Sequence, residues 1–311
     1  MTDWTAPRSW TIGEIVTKAI LDAHIRDNEL FLIENPPVNL LTNGGFEIWQ
    51  RGAGAFSANN AYLADRWQIA IAGTSTFSVT RDTTQKDTDS QYGALVQYTH
   101  NAASYLSQRI EDFNQLRGRR VSASVRVKTA TASAVRLRIV DSTGNGSYSS
   151  YHTGGGAYET LRVENLLIAA GATYVDVRIY FEATVVNLGL DNAIAVIGPE
   201  APDYQPLHPA DDLARCLRYY EIHGAVSQAL RCSGYNTAGE AIGQGIVFMA
   251  QKGGAPTVTK NGTWTATNCG QPTIVGGNVA GYSLRSLVTL TAAAEFYPAV
   301  AGDTVTAEYN P

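Results

Sequence analysis

The sequence predicts a mainly β protein: an N-terminal helix, a jelly-roll β-sandwich, a short linker helix and a second, small β-sandwich-like head. Composition is the first indication. Only 16% of the 311 residues are charged, while Gly occurs 29 times and Met twice, a balance that favours short strands and tight turns over helical bundles. The second is a period-two hydrophobic pattern that runs through the middle of the chain. The third is a proline-punctuated strap from Pro202 to Pro209 that leads into a short amphipathic segment and divides two β-rich stretches. The expected organisation is an anchor segment over residues 1–37, a sandwich over 38–201, a linker over 202–224 and a head over 225–311. Each β domain is large enough to bury a core of its own.

Thr17 is the expected N-cap of a helix from Lys18 to Ile33, which Glu34-Asn35-Pro36-Pro37 ends. Ile20, Leu21, His24, Ile25, Asn28, Phe31 and Leu32 lie along one side, and a stripe on a lone helix needs a cover. Another subunit or a docking protein is one cover; the helix folding back on its own chain is the other, and the extended, aromatic segment from Trp4 to Trp10 suits insertion into a groove. Trp4, Trp10, Leu21, Ile25 and Leu32 are therefore the anchor candidates.

Within the sandwich, Val121, Ala123, Val125 and Val127 alternate with polar residues, as do Val135, Leu137 and Ile139, and then Val175, Val177, Ile179 and Phe181. Such strands have one wet face. Gly144-Asn145-Gly146 and Gly154-Gly155-Gly156 mark turns, and Trp49 and Trp67 are expected in the core. In the linker, Leu213, Cys216, Leu217 and Tyr220 recur at helical spacing, with Asp211 and Asp212 in the first turn and Arg215 and Arg218 after them. Leu213, Leu217 and Tyr220 are the assembly candidates. In the head, Ile242, Ile246, Phe248, Val258, Trp264, Leu287, Val288 and Val305 are core candidates.

The net charge of −5 argues against nucleic acid or an anionic membrane as partner. Cys216, Cys232 and Cys269 show no CxxC spacing, so reduced thiols are expected. No apolar run reaches membrane-spanning length, and Met1-Thr2-Asp3-Trp4 opens no signal sequence, so synthesis and folding in a cytoplasm are expected.

No nucleophile elbow, HExxH or Walker loop occurs, and the histidines at 24, 100, 152, 208 and 223 lack ligand spacing. Asp211 with Asp212, and Glu111 with Asp112, are neighbours in sequence rather than carboxylates facing across a substrate. The segment Ser147 to Tyr158 mixes Tyr, Ser and Gly as antibody paratopes do, which makes Tyr148, Tyr151, His152 and Tyr158 ligand candidates; a hairpin whose tyrosines cover apolar surface is the alternative. Arg117-Gly118-Arg119-Arg120 reads as a charged turn.

The wording "DDLARCLRYYE" at 211–221 resembles a segment of bacteriophage tail-fibre and other virion fibre proteins, and "APTVTKNGTWTATN" and "AGDTVTAEYN" resemble the heads that follow it there. "NLLTNGGFEIWQRG" at 39–52, "YLSQRIEDF" at 105–113 and "LDNAIAVIG" at 190–198 resemble the carbohydrate-binding jelly rolls of bacterial glycanases. The resemblance implies a non-enzymatic virion component, homotrimeric, held to other virion proteins by its N-terminus and attaching to a host-surface glycan or receptor. A head fibre, capsid decoration or tail-tip protein without receptor binding is the first alternative; a glycan depolymerase is the second. No cofactor is required on this reading, but the glycanase modules imply a structural calcium ion (Ca2+). It would be held by Glu47 and Asp191 with carbonyls of Asn43 or Gly44, and carboxylates bonded to nearby amides are the alternative.

Overall fold

In the computed structural model the described residues are 5–6, 8–34, 37–224 and 230–309, the side chains of 31–34 excepted. The chain divides into two compact units, Met1–Asn39 and Leu40–Pro311.

The first unit is a helix in three parts: α1 (Lys18–Leu21), a π-helical stretch (Asp22–Arg26) and α2 (Asp27–Glu34). Thr17 caps it as predicted, its hydroxyl accepting from the Ile20 amide. Asn28 is buried and treats Thr5 as a strand partner, accepting from its N–H at 2.9 Å and donating to its carbonyl at 3.0 Å. Trp10 sits edge-on to His24. The preceding segment thus covers part of the helix, while Trp10, Leu21 and Ile25 remain about half exposed. Trp4 and the Leu32 side chain lie outside the described residues. No described helix is long and apolar enough to cross a membrane.

The second unit opens with the sandwich. Its strands are β1 (Gln68–Ala70), β2 (Thr76–Asp82), β3 (Gly93–Thr99), β4 (Ser104–Arg109), β5 (Arg120–Lys128), β6 (Val135–Asp141), β7 (Gly146–Tyr148), β8 (Tyr158–Leu167), β9 (Val175–Phe181) and β10 (Val185–Ile197). They form two antiparallel sheets, ordered β1-β4-β9-β6-β7 and β2-β3-β10-β5-β8. From β3 to β10 the order β3-β10-β5-β8 opposite β4-β9-β6-β7 is the doubled Greek key of a jelly roll, with β1 and β2 added at the edges. The predicted inward positions hold: Val121, Val125, Val135, Leu137, Val177, Ile179 and Phe181 fill the space between the sheets, but the opposite face is not wet throughout, since Ser122, Ser124, Asp176 and Tyr180 are buried too. Trp67 and Trp49 are buried there too, Trp67 stacked on Phe46 at 4.8 Å. Cys216 and Cys269 are buried free thiols and Cys232 a partly buried one.

The linker helix α3 (Pro209–Leu217) is capped by His208. Its buried face differs from the prediction. Leu213 is 41% exposed and Leu217 half-buried, whereas Asp212 and Cys216 point inward, followed by Tyr219. The reason is polar: the Asp212 carboxylate accepts from the buried Asn43 amide at 3.0 Å, which rotates the helix so that the 212/216/219 stripe meets the sandwich. Tyr220 is not on the helix. It begins a strand of the head and packs under the Arg51 guanidinium at 3.7 Å.

The head consists of three three-stranded antiparallel sheets. Its strands are β11 (Tyr220–His223), β12 (Cys232–Asn236), β13 (Ala241–Val247), β14 (Thr257–Lys260), β15 (Thr265–Thr267), β16 (Thr273–Gly277), β17 (Gly281–Leu287), β18 (Ala292–Tyr297) and β19 (Val305–Glu308), ordered β11-β19-β14, β12-β18-β15 and β13-β17-β16. Ile242, Phe248, Trp264, Val288 and Val305 are buried as expected, with Ile246 and Val258 packed at the margin. Leu287 is a correction at 58% exposure, because Tyr282, Leu284 and Ser286 take the inward positions of β17.

Sandwich and head share an ionic seam. Arg51 bridges Asp65 at 3.4 Å and Glu308 at 2.8 Å, Arg66 stacks over Tyr219 at 3.8 Å, and Glu111 receives Arg218 at 2.9 Å and the Tyr219 hydroxyl. Gly253 and Gly254 are required where the Tyr309 ring lies against them: a Cβ on either would come within 2.4 or 2.6 Å of it.

Candidate functional site: an arginine and tyrosine face

The outer face of the β1-β4-β9-β6-β7 sheet concentrates chemistry that no single segment shows. Because side chains alternate along a strand, the residues between the core valines and leucines all point to this face. Strand β4 contributes Tyr105, Ser107 and Arg109; β9 contributes Asp176, Arg178 and Tyr180; β6 contributes Arg136 and Arg138. Register aligns them in rows. Tyr105 lies opposite Tyr180, which lies opposite Arg136; Gln68, Ser107, Arg178, Arg138 and Tyr148 form a second row across all five strands.

A tight turn brings Tyr148 into this row. Asp141 accepts from the Thr143 amide at 2.9 Å, Gly144 adopts φ +85°, and β7 returns beside β6 with Gly146 so close that a Cβ would meet the Ile139 carbonyl at 2.6 Å. Asp141 is held below the usual carboxylate range, its bonds to Thr143, Ala169 and Asn145 outweighing the larger single effect of burial.

The guanidinium groups lie on aromatic rings. Arg136 is 3.8 Å from the Tyr148 centroid and 4.8 Å from Tyr151, Arg138 is 4.7 Å from Tyr148, Arg178 is 4.7 Å from Tyr105, and Arg109 is 4.1 Å from Tyr174. Stacking of this kind fixes the fork of an arginine and leaves its outer N–H groups free to donate. Asp176 binds Arg109 at 2.9 Å and Arg178 at 2.7 Å, and Glu182 binds Arg136 at 2.8 Å and the Tyr151 hydroxyl. Burial pulls the Arg178 guanidinium down, but its bonds to Asp176 and Tyr180 more than offset this and hold it above its ordinary value. Burial pushes the Tyr105 phenol up, and the bond to Glu182 does the same to Tyr151. At one end the face deepens into a cavity of about 280 Å³ lined by Arg66, Tyr105, Ser107, Arg109, Asp176 and Arg178.

The segment from Ser147 to Tyr158 is not one ligand loop. Tyr148 and Tyr151 join the face, but His152 is 1% exposed and both its ring nitrogens are engaged: Nδ1 accepts from the Gly154 amide, so Nε2 carries the proton and donates to the Val127 carbonyl at 3.0 Å. It shapes the turn and cannot touch a ligand. Tyr158 belongs to the opposite sheet, where its hydroxyl donates to the Gln85 carbonyl at 2.9 Å. Sequence reading missed Arg109, Arg136, Arg138, Arg178, Tyr105 and Tyr180 as a group. The alternation that marks wet faces was visible, but not that β4, β6 and β9 adjoin. Arg117 and Arg120 point elsewhere, to the carbonyls of Ala172 and Asn165.

Glu47 and Asp191 are brought to one loop, residues 86–92. A bulge in β10 after Asp191, with Asn192 at φ +49°, aims the aspartate there. Glu47 accepts from the Gln91 and Tyr92 amides at 2.7 and 3.1 Å, and Asp191 from the Asp87 and Asn192 amides, both at 2.8 Å. Each of the four oxygens thus has a main-chain donor. Lys86 adds a nearby ammonium, bonded to the Ser90 carbonyl. Burial raises both carboxyls, Asp191 to about 7, with the charge of Glu47 adding to the effect. Among the described residues no three His, Cys, Asp or Glu side chains form a group that could hold a metal. The Gly44 carbonyl accepts from Ala193. The two carboxylates are tied to main-chain amides.

No family model and no curated protein matches the chain. Solved structures similar to part of it include a tailspike protein 4 domain of bacteriophage CBA120 (19% identity, TM-score 0.36, 52% of this chain and 22% of that one). A second is TmCBM61 in complex with β-1,4-galactotriose (15%, 0.38, 52% and 99%). A third is the C-terminal family 22 carbohydrate-binding module of Clostridium thermocellum Xyn10B (16%, 0.33, 49% and 96%). The chain spans about a fifth of the tailspike chain's length. Likeness at this level carries no weight beside the strand order, on which the jelly roll rests.

Proposed function

We propose that the chain is a structural fibre component of a phage particle that binds, without cleaving, a glycan of the host surface through the arginine and tyrosine face. The observation that carries this reading is the face itself: aromatic rings and fixed hydrogen-bond donors side by side on a rigid sheet, the combination that sugar rings and their oxygens require. The segment resemblances at 211–221 and in the head support the virion setting, and those at 39–52, 105–113 and 190–198 support carbohydrate binding. On this reading the N-terminal unit, with Trp10, Leu21 and Ile25 exposed, attaches to another virion protein. The head, with Tyr235, Val247, Met249, Leu287 and Leu290 exposed, associates with copies of itself as a homotrimer. Several weak sites on one particle then act together through effective concentration.

The test is complementation. Particles lacking the protein are supplied with the full chain or with a chain lacking residues 1–35, and adsorption to host cells is counted. The full chain should restore adsorption; the shortened one should stay soluble and restore nothing. Normal adsorption without the protein would favour a spacer role, and shortening of host polysaccharide by purified protein would favour a depolymerase.

A further inference from the structure

The same face indicates which glycans it selects, an inference that rests on the glycan-binding reading. Four arginines, Arg109, Arg136, Arg138 and Arg178, share the sheet surface with two carboxylates, Asp176 and Glu182. The surface is therefore locally cationic in a chain whose net charge is −5. The carboxylates are used by three of the arginines: Arg109 and Arg178 share Asp176, and Arg136 takes Glu182. Arg138, between Arg178 and Tyr148 in the row, forms no ion pair among the described residues. Its contacts are the Tyr148 and Tyr180 rings and a long bond of 3.4 Å to the Tyr180 hydroxyl.

The Nε atoms of Arg136, Arg138 and Arg178 are also buried without a hydrogen-bond partner. A stacked guanidinium without a counter-ion is a pre-oriented fork for a carboxylate.

We infer that the face binds acidic polysaccharides, with the sugar carboxylate on Arg138 and a sugar ring against the exposed Tyr148 and Tyr151. Nucleic acid is the other polyanion to weigh, and the composition of the face disfavours it. Asp176, Glu182, Ser107 and Gln68 are hydrogen-bond acceptors set among the arginines. Sugar hydroxyls donate to such acceptors, whereas the oxygens of a phosphate backbone only accept hydrogen bonds and have nothing to give them.

The experiment uses the full chain and a panel of polygalacturonate, alginate and hyaluronate beside the methyl-esterified form of each, with a neutral-glycan array in parallel. Esterification keeps the sugar and removes the charge. At least one acid form should bind, its ester about tenfold or more weaker, as expected for loss of a charge-assisted bond. Arg138→Gln should lower affinity for the acid form by a similar factor and for the ester by less, and Arg138→Lys should recover part of the loss on the acid form. A melting curve for each variant separates loss of binding from loss of fold. Equal binding of acid and ester, or binding confined to neutral glycans, overturns this inference and leaves glycan binding standing. Failure to bind any member of the panel or array overturns both.

Discussion

Lys252 is 2% exposed and Glu221 1%, and they meet at 2.8 Å inside the head. The Lys252 ammonium also donates to the Leu217 carbonyl at the end of α3, so this pair joins the linker helix to the β head. Glu221 accepts as well from the Met249 amide at 3.0 Å and is bonded to His223, whose other ring nitrogen meets the Tyr282 hydroxyl at 2.9 Å. Replacing Lys252 by Met keeps the apolar stem but leaves a buried carboxylate short of its main counter-charge, a change that typically costs about 3–5 kcal/mol. Because Met249 and His223 still donate, we expect the lower part of that range, about 3–4 kcal/mol. For a unit of this size that corresponds to a fall in Tm of roughly 6–16 °C. Glu221→Gln should also destabilise, by stranding the ammonium. The double variant Lys252→Met with Glu221→Gln should recover more than half of the summed losses, since replacing both members of a buried pair is far cheaper than removing one. Differential scanning calorimetry at pH 7 on the three variants measures this. A single variant melting within about 2 °C of the parent, or losses that simply add in the double, would refute the claim that the pair is coupled and buried.

Two further outcomes follow from the carboxylates. Burial disfavours the Glu221 charge, but bonds from His223, Lys252 and Met249 outweigh it and hold its carboxyl down at about 2; the stability it contributes is complete above the ordinary carboxylate value and is lost as pH falls from about 4.5 through about 2. Asp65 and Asp191 act in the opposite sense. Burial raises them to about 6 and about 7, so the folded state binds more protons than the unfolded one from about pH 4 upward, and stability declines as pH rises through that window. Tm plotted from pH 2 to 9 should therefore peak on the acid side of neutrality, and a steady rise from pH 5 to 8 would contradict the assignment. Chelation of divalent cations should leave Tm unchanged, because the Glu47 and Asp191 oxygens already have amide donors; a rise of several degrees on adding calcium chloride would show instead that a cation binds the folded state there.

What could be read from the chain depended on the range over which each feature is encoded. The strands were legible because a half-buried strand records its inward face in every second residue, so Val135-Leu137-Ile139 needs no neighbour to be recognised. The helix cap at Thr17 was legible for the same reason, since its hydroxyl reaches only three residues. The rotation of α3 was not. A polarity pattern places Leu213 inward, but Asp212 finds an unpaired amide at Asn43, 169 residues away, and a buried amide–carboxylate bond outweighs one leucine's burial at the surface of a short helix.

The arginine and tyrosine face lies at the far end of this scale. Its arginines come from strands that sit side by side only because a jelly roll interleaves distant segments, so that Arg178 of β9 lies between Arg138 of β6, forty residues earlier, and Ser107 of β4, earlier still. Read locally, each is one wet position on a strand; the loop with the most suggestive composition instead divides between two sheets, leaving His152 and Tyr158 in structural roles. The useful sequence signal was therefore not a cluster but a bias: the outward positions of β4, β6 and β9 hold Tyr and Arg where an ordinary solvated face would hold Thr, Ser and Lys. Tyr and Arg are the side chains that gain most from being fixed and desolvated at contacts. Their recurrence on alternate positions of separate strands therefore marks a single continuous surface once the strand order is known.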